Sequence, residues 1–170
     1  TYWLPEKNID GVDFQTGALG HGLSIGIGIA KYYKKNRINK WVVIMIGDGE
    51  LNEGSIWESF LISKNWRLGN LIIIIDKNKF QANDKTHKVL SLGNLKKKVD
   101  SFDLNLTELD GHNYRDMNNK FSNFKKNNIP KVIIANTKRN FGIFSIQNKK
   151  KFWYVDRNEK KLPQFRINLR

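Results

Sequence analysis

The 170-residue chain has no cysteine, three prolines and 16 acidic side chains against 30 basic ones. Without cysteine there is no disulfide framework, no thiolate metal site and no thiol catalysis, and the composition suits a reducing, cytoplasmic compartment. No apolar run approaches the roughly 20 residues that cross a bilayer. The longest are Trp41-Val42-Val43-Ile44-Met45-Ile46 and Leu71-Ile72-Ile73-Ile74-Ile75, so no membrane partner is expected. The first ten residues lack a basic region leading into an apolar one and do not read as a signal peptide. The start at Thr1 instead of methionine reads as a fragment or a processed chain. No internal repeat and no Pro/Ser-rich linker is present, so residues 1–148 are taken as one domain and residues 149–170 as a basic, irregular tail. That tail surrounds a Phe152-Trp153-Tyr154 cluster expected to dock on the domain or on a second subunit.

What the chain does contain is enough apolar material, 39% of residues, to pack a core. Its formal charge of +14 raises nucleic acid as a partner. The basic runs are scattered along the chain, however, and read better as solvated surface than as a phosphate-binding face.

The two apolar runs read as strands buried on both faces of a parallel sheet. Between them Ser55-Ile56-Trp57-Glu58 has the form of a capping box, with Trp57, Phe60, Leu61 and Lys64 at helical spacing behind it. Strand, helix, strand with a crossover of this length predicts a parallel α/β layer with helices on both sheet faces and ligands at the strands' carboxyl ends. Downstream, residues 105–109 predict a strand, Tyr114, Met117, Phe121 and Phe124 an amphipathic helix, and residues 131–136 a further buried strand. Residues 17–33 fit strand alternation or helical spacing, and helix is preferred. Four glycines there, Gly20, Gly22, Gly26 and Gly28, each weaken a helix by up to about 1 kcal/mol, which asks for a close approach by another chain or a ligand.

The chemistry concentrates in Gly47-Asp48-Gly49-Glu50-Leu51-Asn52-Glu53-Gly54 and in Asp76-Lys77-Asn78-Lys79-Phe80. In a parallel crossover unit Asp48 and Asn78 emerge at the same sheet edge on neighbouring strands and so converge on one ion. A carboxylate and an amide oxygen make an all-oxygen site suited to Mg²⁺ shared with phosphate oxygens. Gly47 and Gly49 let backbone N–H groups approach a diphosphate. Alone, the Gly-Asp-Gly tripeptide reads better as a strand-ending turn with Asp as a local cap.

The whole pattern, with Leu68-Gly69-Asn70-Leu71 between its halves, resembles the thiamine-diphosphate signature. The Glu-Leu-Asn-Glu-Gly-Ser-Ile-Trp-Glu stretch and residues 11–24 resemble the transketolase branch, in particular the amino-terminal subunit of split transketolases. The resemblance spans roughly residues 4–148 and implies a thiamine-diphosphate-binding α/β fold without the family's amino-terminal part. It implies Mg²⁺ on Asp48, Asn78 and the Phe80 carbonyl, main-chain contacts to the cofactor from Gly17, Leu19 and Gly49, and a role for Glu53 at the interface with a partner subunit. That partner is the pyrimidine-domain, carboxy-terminal transketolase subunit in a hetero-oligomer or dimer, and the implied reaction moves a two-carbon ketol unit between sugar phosphates, as in the pentose phosphate pathway. Without the partner this chain is expected to be inactive. Leu4 and Tyr154 stand where the family carries histidines, which gives a second reading: a subunit that binds cofactor but has lost sugar chemistry. None of His21, His87 and His112 is assigned catalysis.

Overall fold

The computed structural model describes residues 9–82, 84–142 and 147. Leu4, Tyr154 and the 149–170 tail lie outside the described residues. Helix α1 (Gly22–Lys35) leads into strand β1 (Val42–Gly47), a 3₁₀ turn (Gly49–Asn52), helix α2 (Gly54–Asn65) and strand β2 (Leu71–Lys77). A two-residue hairpin, β3 (Phe80–Gln81) with β4 (Asp84–Lys85), opens into the short helices α3 (Thr86–Val89) and α4 (Leu95–Asp100). Strand β5 (Asn105–Asp110), helix α5 (Tyr114–Ser122) and strand β6 (Lys131–Asn136) complete the order.

The four long strands form one parallel sheet in the order β1-β2-β6-β5. Helices cover both faces, as the sequence predicts. On one side Leu23, Ile27 and Ala30 of α1 and Ile56 and Phe60 of α2 bury against Ile46, Ile73, Ile75, Val132 and Ile134, with Val99 of α4 in the same cluster. On the other, Met117 and Phe121 of α5 and Phe124 just beyond it pack on Ile72, Leu109, Ile133 and Ala135. Burying a Leu, Ile or Phe side chain in such a layer contributes about 1.5–3 kcal/mol.

The expectation that the Trp41 to Ile46 run is buried on both faces is corrected. Among the described residues strand β1 is the sheet's edge, and only its α1-facing side chains are covered there: Val43 is 51% exposed and Met45 69%. Residues 17–33 are resolved in favour of helix, but α1 begins only at Gly22. Gly26 explains one of its glycines, since a Cβ there would meet the Ile44 side chain at 2.3 Å. Gly28 faces open space. The predicted capping box is also corrected. Glu53 is the N-cap of α2 without a side-chain cap bond, Ser55 lies inside the helix, and Leu61 is exposed while Ser59 and Ser63 are buried.

The amino edge of the sheet is pinned by polar bonds. Lys131 opens β6 with 1% exposure, and burial lowers its ammonium pKa. Its three donors go to the carbonyls of Gly69 and Ile129 and to Asn127 Oδ1 at 2.9–3.1 Å. Each N–H of the buried cation therefore has an acceptor. Asn70 Nδ2 donates to the Ala30 carbonyl at 3.0 Å, tying α1 to the start of β2. The Leu68-Gly69-Asn70-Leu71 stretch is thus a joint at the end of the sheet opposite the candidate site.

Candidate cofactor site at the carboxyl edge

Parallel register puts Gly47 opposite Asp76, so the chain leaves β1 and β2 side by side. Asp48 follows at once, and its N–H donates to the Asp76 carbonyl at 3.1 Å. Its side chain is 3% exposed. Carboxylate oxygen Oδ2 accepts the Lys79 N–H at 2.9 Å and the buried Thr86 hydroxyl at 3.2 Å. Oxygen Oδ1 is buried and has no hydrogen-bond partner. Desolvation by this burial raises the Asp48 pKa to about 6, against the Lys79 N–H and the Thr86 hydroxyl on Oδ2 and a weaker pull from the Gly49 N–H, which lower it; the nearby Asp76 carboxylate adds to the rise.

Asn78 is half-buried just past β2. Its Nδ2 donates to Asp76 Oδ2 at 2.9 Å, and its Oδ1 accepts the Phe80 N–H at 2.9 Å, leaving one lone pair on that oxygen. Phe80 is buried at the start of β3 beneath the Arg139 guanidinium, 5.2 Å from the ring centroid. Asp76 itself is occupied by Asn78 and the Thr137 hydroxyl. An orphaned buried carboxylate oxygen after β1 and a half-free amide oxygen after the neighbouring β2 are donors that fit a hard cation. Among the described residues no group of three His, Asp or Glu side chains is arranged to hold a metal ion, so such a cation would draw its remaining ligands from carbonyl, water and phosphate oxygens.

The other predicted residues gather at the same edge. Gly49 is buried in the 3₁₀ turn, and Gln81 packs where its Cβ would be, at 2.8 Å. Gly47 ends β1, and Glu53 is half-buried at the start of α2. Gly17 and Leu19 lie in the loop before α1, Leu19 55% exposed. That loop is drawn onto the edge through Gly20, whose N–H donates to Glu50 Oε1 at 2.9 Å and whose carbonyl accepts the Ser55 hydroxyl at 2.9 Å.

Of the three histidines, His21 and His87 are exposed and His112 is half-buried. His21 is exposed, its ring nitrogen 3.0 Å from the Leu19 carbonyl. His87 is exposed on α3. His112 accepts the Lys138 N–H at 2.8 Å and stacks on Phe141. Beside the site a cleft of about 430 Å³ is lined by Asp76, Asn78, His112, Thr137, Arg139 and Phe141 among others. Sequence reasoning missed Glu50, Thr86 and Arg139. Thr86 and Arg139 carry no motif, because only the hairpin and the turn after β6 bring them in. Glu50 was in view within the motif, but its targets lie 30 residues upstream and on β1.

The profile of the transketolase thiamine diphosphate binding domain matches residues 3–153. The chain belongs to this family. Its relatives include one of the subunits of the apulose-4-phosphate transketolase from Actinobacillus succinogenes, 40% identical over 139 residues, which covers 82% of this chain and 50% of that one. The 6-deoxy-6-sulfo-D-fructose transketolase subunit SqwG of a Clostridium species is 33% identical over 128 residues, covering 75% and 46%. The chain thus spans about half the length of these relatives. The transketolase crystal structure from Campylobacter jejuni superposes with a TM-score of 0.76 at 27% identity, over 83% of this chain and 23% of that one. The parallel sheet with its helices is therefore the transketolase-type thiamine diphosphate fold. Among the described residues no helix is long and apolar enough to cross a membrane.

Proposed function

We propose that this chain is the diphosphate-binding subunit of a two-component, transketolase-like transferase that moves a two-carbon ketol unit between sugar phosphates in the cytoplasm. The observation that carries the reading is the buried, unpartnered Asp48 Oδ1 at the strand end next to Asn78, within a domain whose family binds thiamine diphosphate. In this reading Asp48 and Asn78 hold Mg²⁺ through side-chain oxygens and Phe80 through its carbonyl. Gly17, Leu19 and Gly49 present main-chain groups to the cofactor, while the expected approach of the Gly47 N–H to the diphosphate is corrected, since Glu50 takes that donor. When bound, thiamine diphosphate supplies the carbon centre that accepts and releases the ketol unit. The chain's part is to neutralise the diphosphate, orient the cofactor and keep water from the buried end of the site.

The partner is a pyrimidine-domain subunit, and support for it comes from relatives named as one subunit of a transketolase. Glu53, half-buried at the start of α2, is the residue assigned to the interface with that partner. Co-expression with a pyrimidine-domain subunit, followed by a ketol-transfer assay on sugar phosphates, tests the reading. Cofactor-dependent transfer by the complex and none by this chain alone is expected. A complex that holds thiamine diphosphate without turnover would favour the second reading, a binding subunit without sugar chemistry, which Leu4 and Tyr154 support.

A further inference from the structure

Gly17 and Leu19 are exposed, and the geometry points to Glu50, with Ser55, as the positioning residue that fixes the loop carrying them. Gly20 sits at φ +81°, a left-handed conformation that favours glycine. Both of its polar groups are taken by the turn after Asp48: Glu50 Oε1 accepts its N–H at 2.9 Å and the Ser55 hydroxyl donates to its carbonyl at 2.9 Å. A Cβ at Gly20 would lie 2.8 Å from Glu53 Cβ and from Ser55 Oγ, so the two segments are in direct contact. The second Glu50 oxygen accepts the Gly47 N–H at 3.4 Å. In β1 the N–H groups of Val42 and Asp48 point to β2, so that of Gly47 points to the open edge. One carboxylate thus joins the loop before α1 to the last residue of β1, next to Asp48. A carboxylate suits this task because a charge-assisted bond to a backbone N–H is stronger than a neutral one.

This inference rests on the proposal that Gly17 and Leu19 face the cofactor. Its consequence is a division of labour. Asp48, Asn78 and Gly49 hold the metal-diphosphate end, while Glu50 and Ser55 set the loop under the rest of the cofactor. Loss of the clamp therefore weakens thiamine diphosphate selectively and spares inorganic pyrophosphate.

Titration of the full 170-residue chain with magnesium thiamine diphosphate and with magnesium pyrophosphate, in wild type, Glu50→Ala, Glu50→Gln and Ser55→Ala, tests it. Hydrogen exchange at the Gly20 amide is read in parallel. Expected for Glu50→Ala are at least tenfold weaker thiamine diphosphate binding, pyrophosphate affinity within twofold of wild type and faster Gly20 exchange. Glu50→Gln, which keeps an acceptor for Gly20, should recover most of the affinity. Ser55→Ala removes a single bond and should show the same selectivity in smaller measure, even if Glu50→Ala does not fold. Unchanged thiamine diphosphate affinity, or equal loss for both ligands, overturns the clamp while leaving the proposed function standing. A wild-type chain that binds neither ligand removes both.

Discussion

Asp48→Asn should make the metal-free protein more stable at pH 7.5 and deprive it of magnesium-dependent cofactor binding. The buried carboxylate is held in its charged form at a cost: its pKa is raised to about 6 from 3.8, and each unit corresponds to about 1.4 kcal/mol. Because the folded-state value lies above the unfolded one, the folded protein binds more protons between pH 4 and 6. Stability of the metal-free wild type is therefore greatest below about pH 4 as far as this group is concerned, and falls as pH rises through 6, by about 3 kcal/mol in total. Asparagine removes that dependence. Its carbonyl can still accept from Lys79 and Thr86, while its amide replaces the orphaned Oδ1 without an acceptor and gives back about 1–2 kcal/mol. The net expectation is a gain of about 1–2 kcal/mol at pH 7.5 and none at pH 4.5, read from urea unfolding at the two values. Binding of magnesium thiamine diphosphate should weaken by at least about a hundredfold, since a charged ligand oxygen is gone. A variant less stable than wild type at pH 7.5 would show that Oδ1 is not the strained group inferred from its burial.

Gly69→Ala is expected to have the largest effect on the fold. A Cβ at this position would stand 1.3 Å from the Asn127 carbonyl oxygen, a main-chain atom that no rotamer change moves. The same loop supplies Asn127 Oδ1 and Ile129 O to the buried Lys131 ammonium, so displacing it also strips acceptors from a cation that has no water to replace them. Overpacking in a core typically costs about 1–3 kcal/mol. With the buried cation disturbed as well, a loss of more than about 3 kcal/mol is expected, seen as a large fall in the urea midpoint. A loss under about 1 kcal/mol would mean that the 127–131 loop yields freely and that Lys131 is not held as described.

Much of this was legible in the sequence for a simple reason. A parallel crossover places the residues after two successive strands at one edge, so Asp48 and Asn78 could be paired from their spacing and from two apolar runs alone. The edge position of β1 was not legible. It depends on β6, far along the chain, inserting between β2 and β5, and a run of β-branched residues reads the same at an edge as at a centre. Ser55 followed by Glu58 fits a capping pattern, yet α2 starts one residue earlier at Gly54, so Ser55 lies inside the helix and its hydroxyl donates to the Gly20 carbonyl. Glu50 and Lys131 show the same limit: their partners are mostly main-chain groups, which leave no mark in the side-chain pattern.

Equilibrium titration of the wild-type chain with thiamine diphosphate, with and without Mg²⁺ and at pH 5, 6 and 7.5, tests the central claim most directly. Saturable binding that requires the cation and, below about pH 6, weakens by about tenfold per unit as a proton takes the Asp48 carboxylate is the predicted result. Binding of equal strength without any divalent cation, and indifferent to pH across that range, would contradict it.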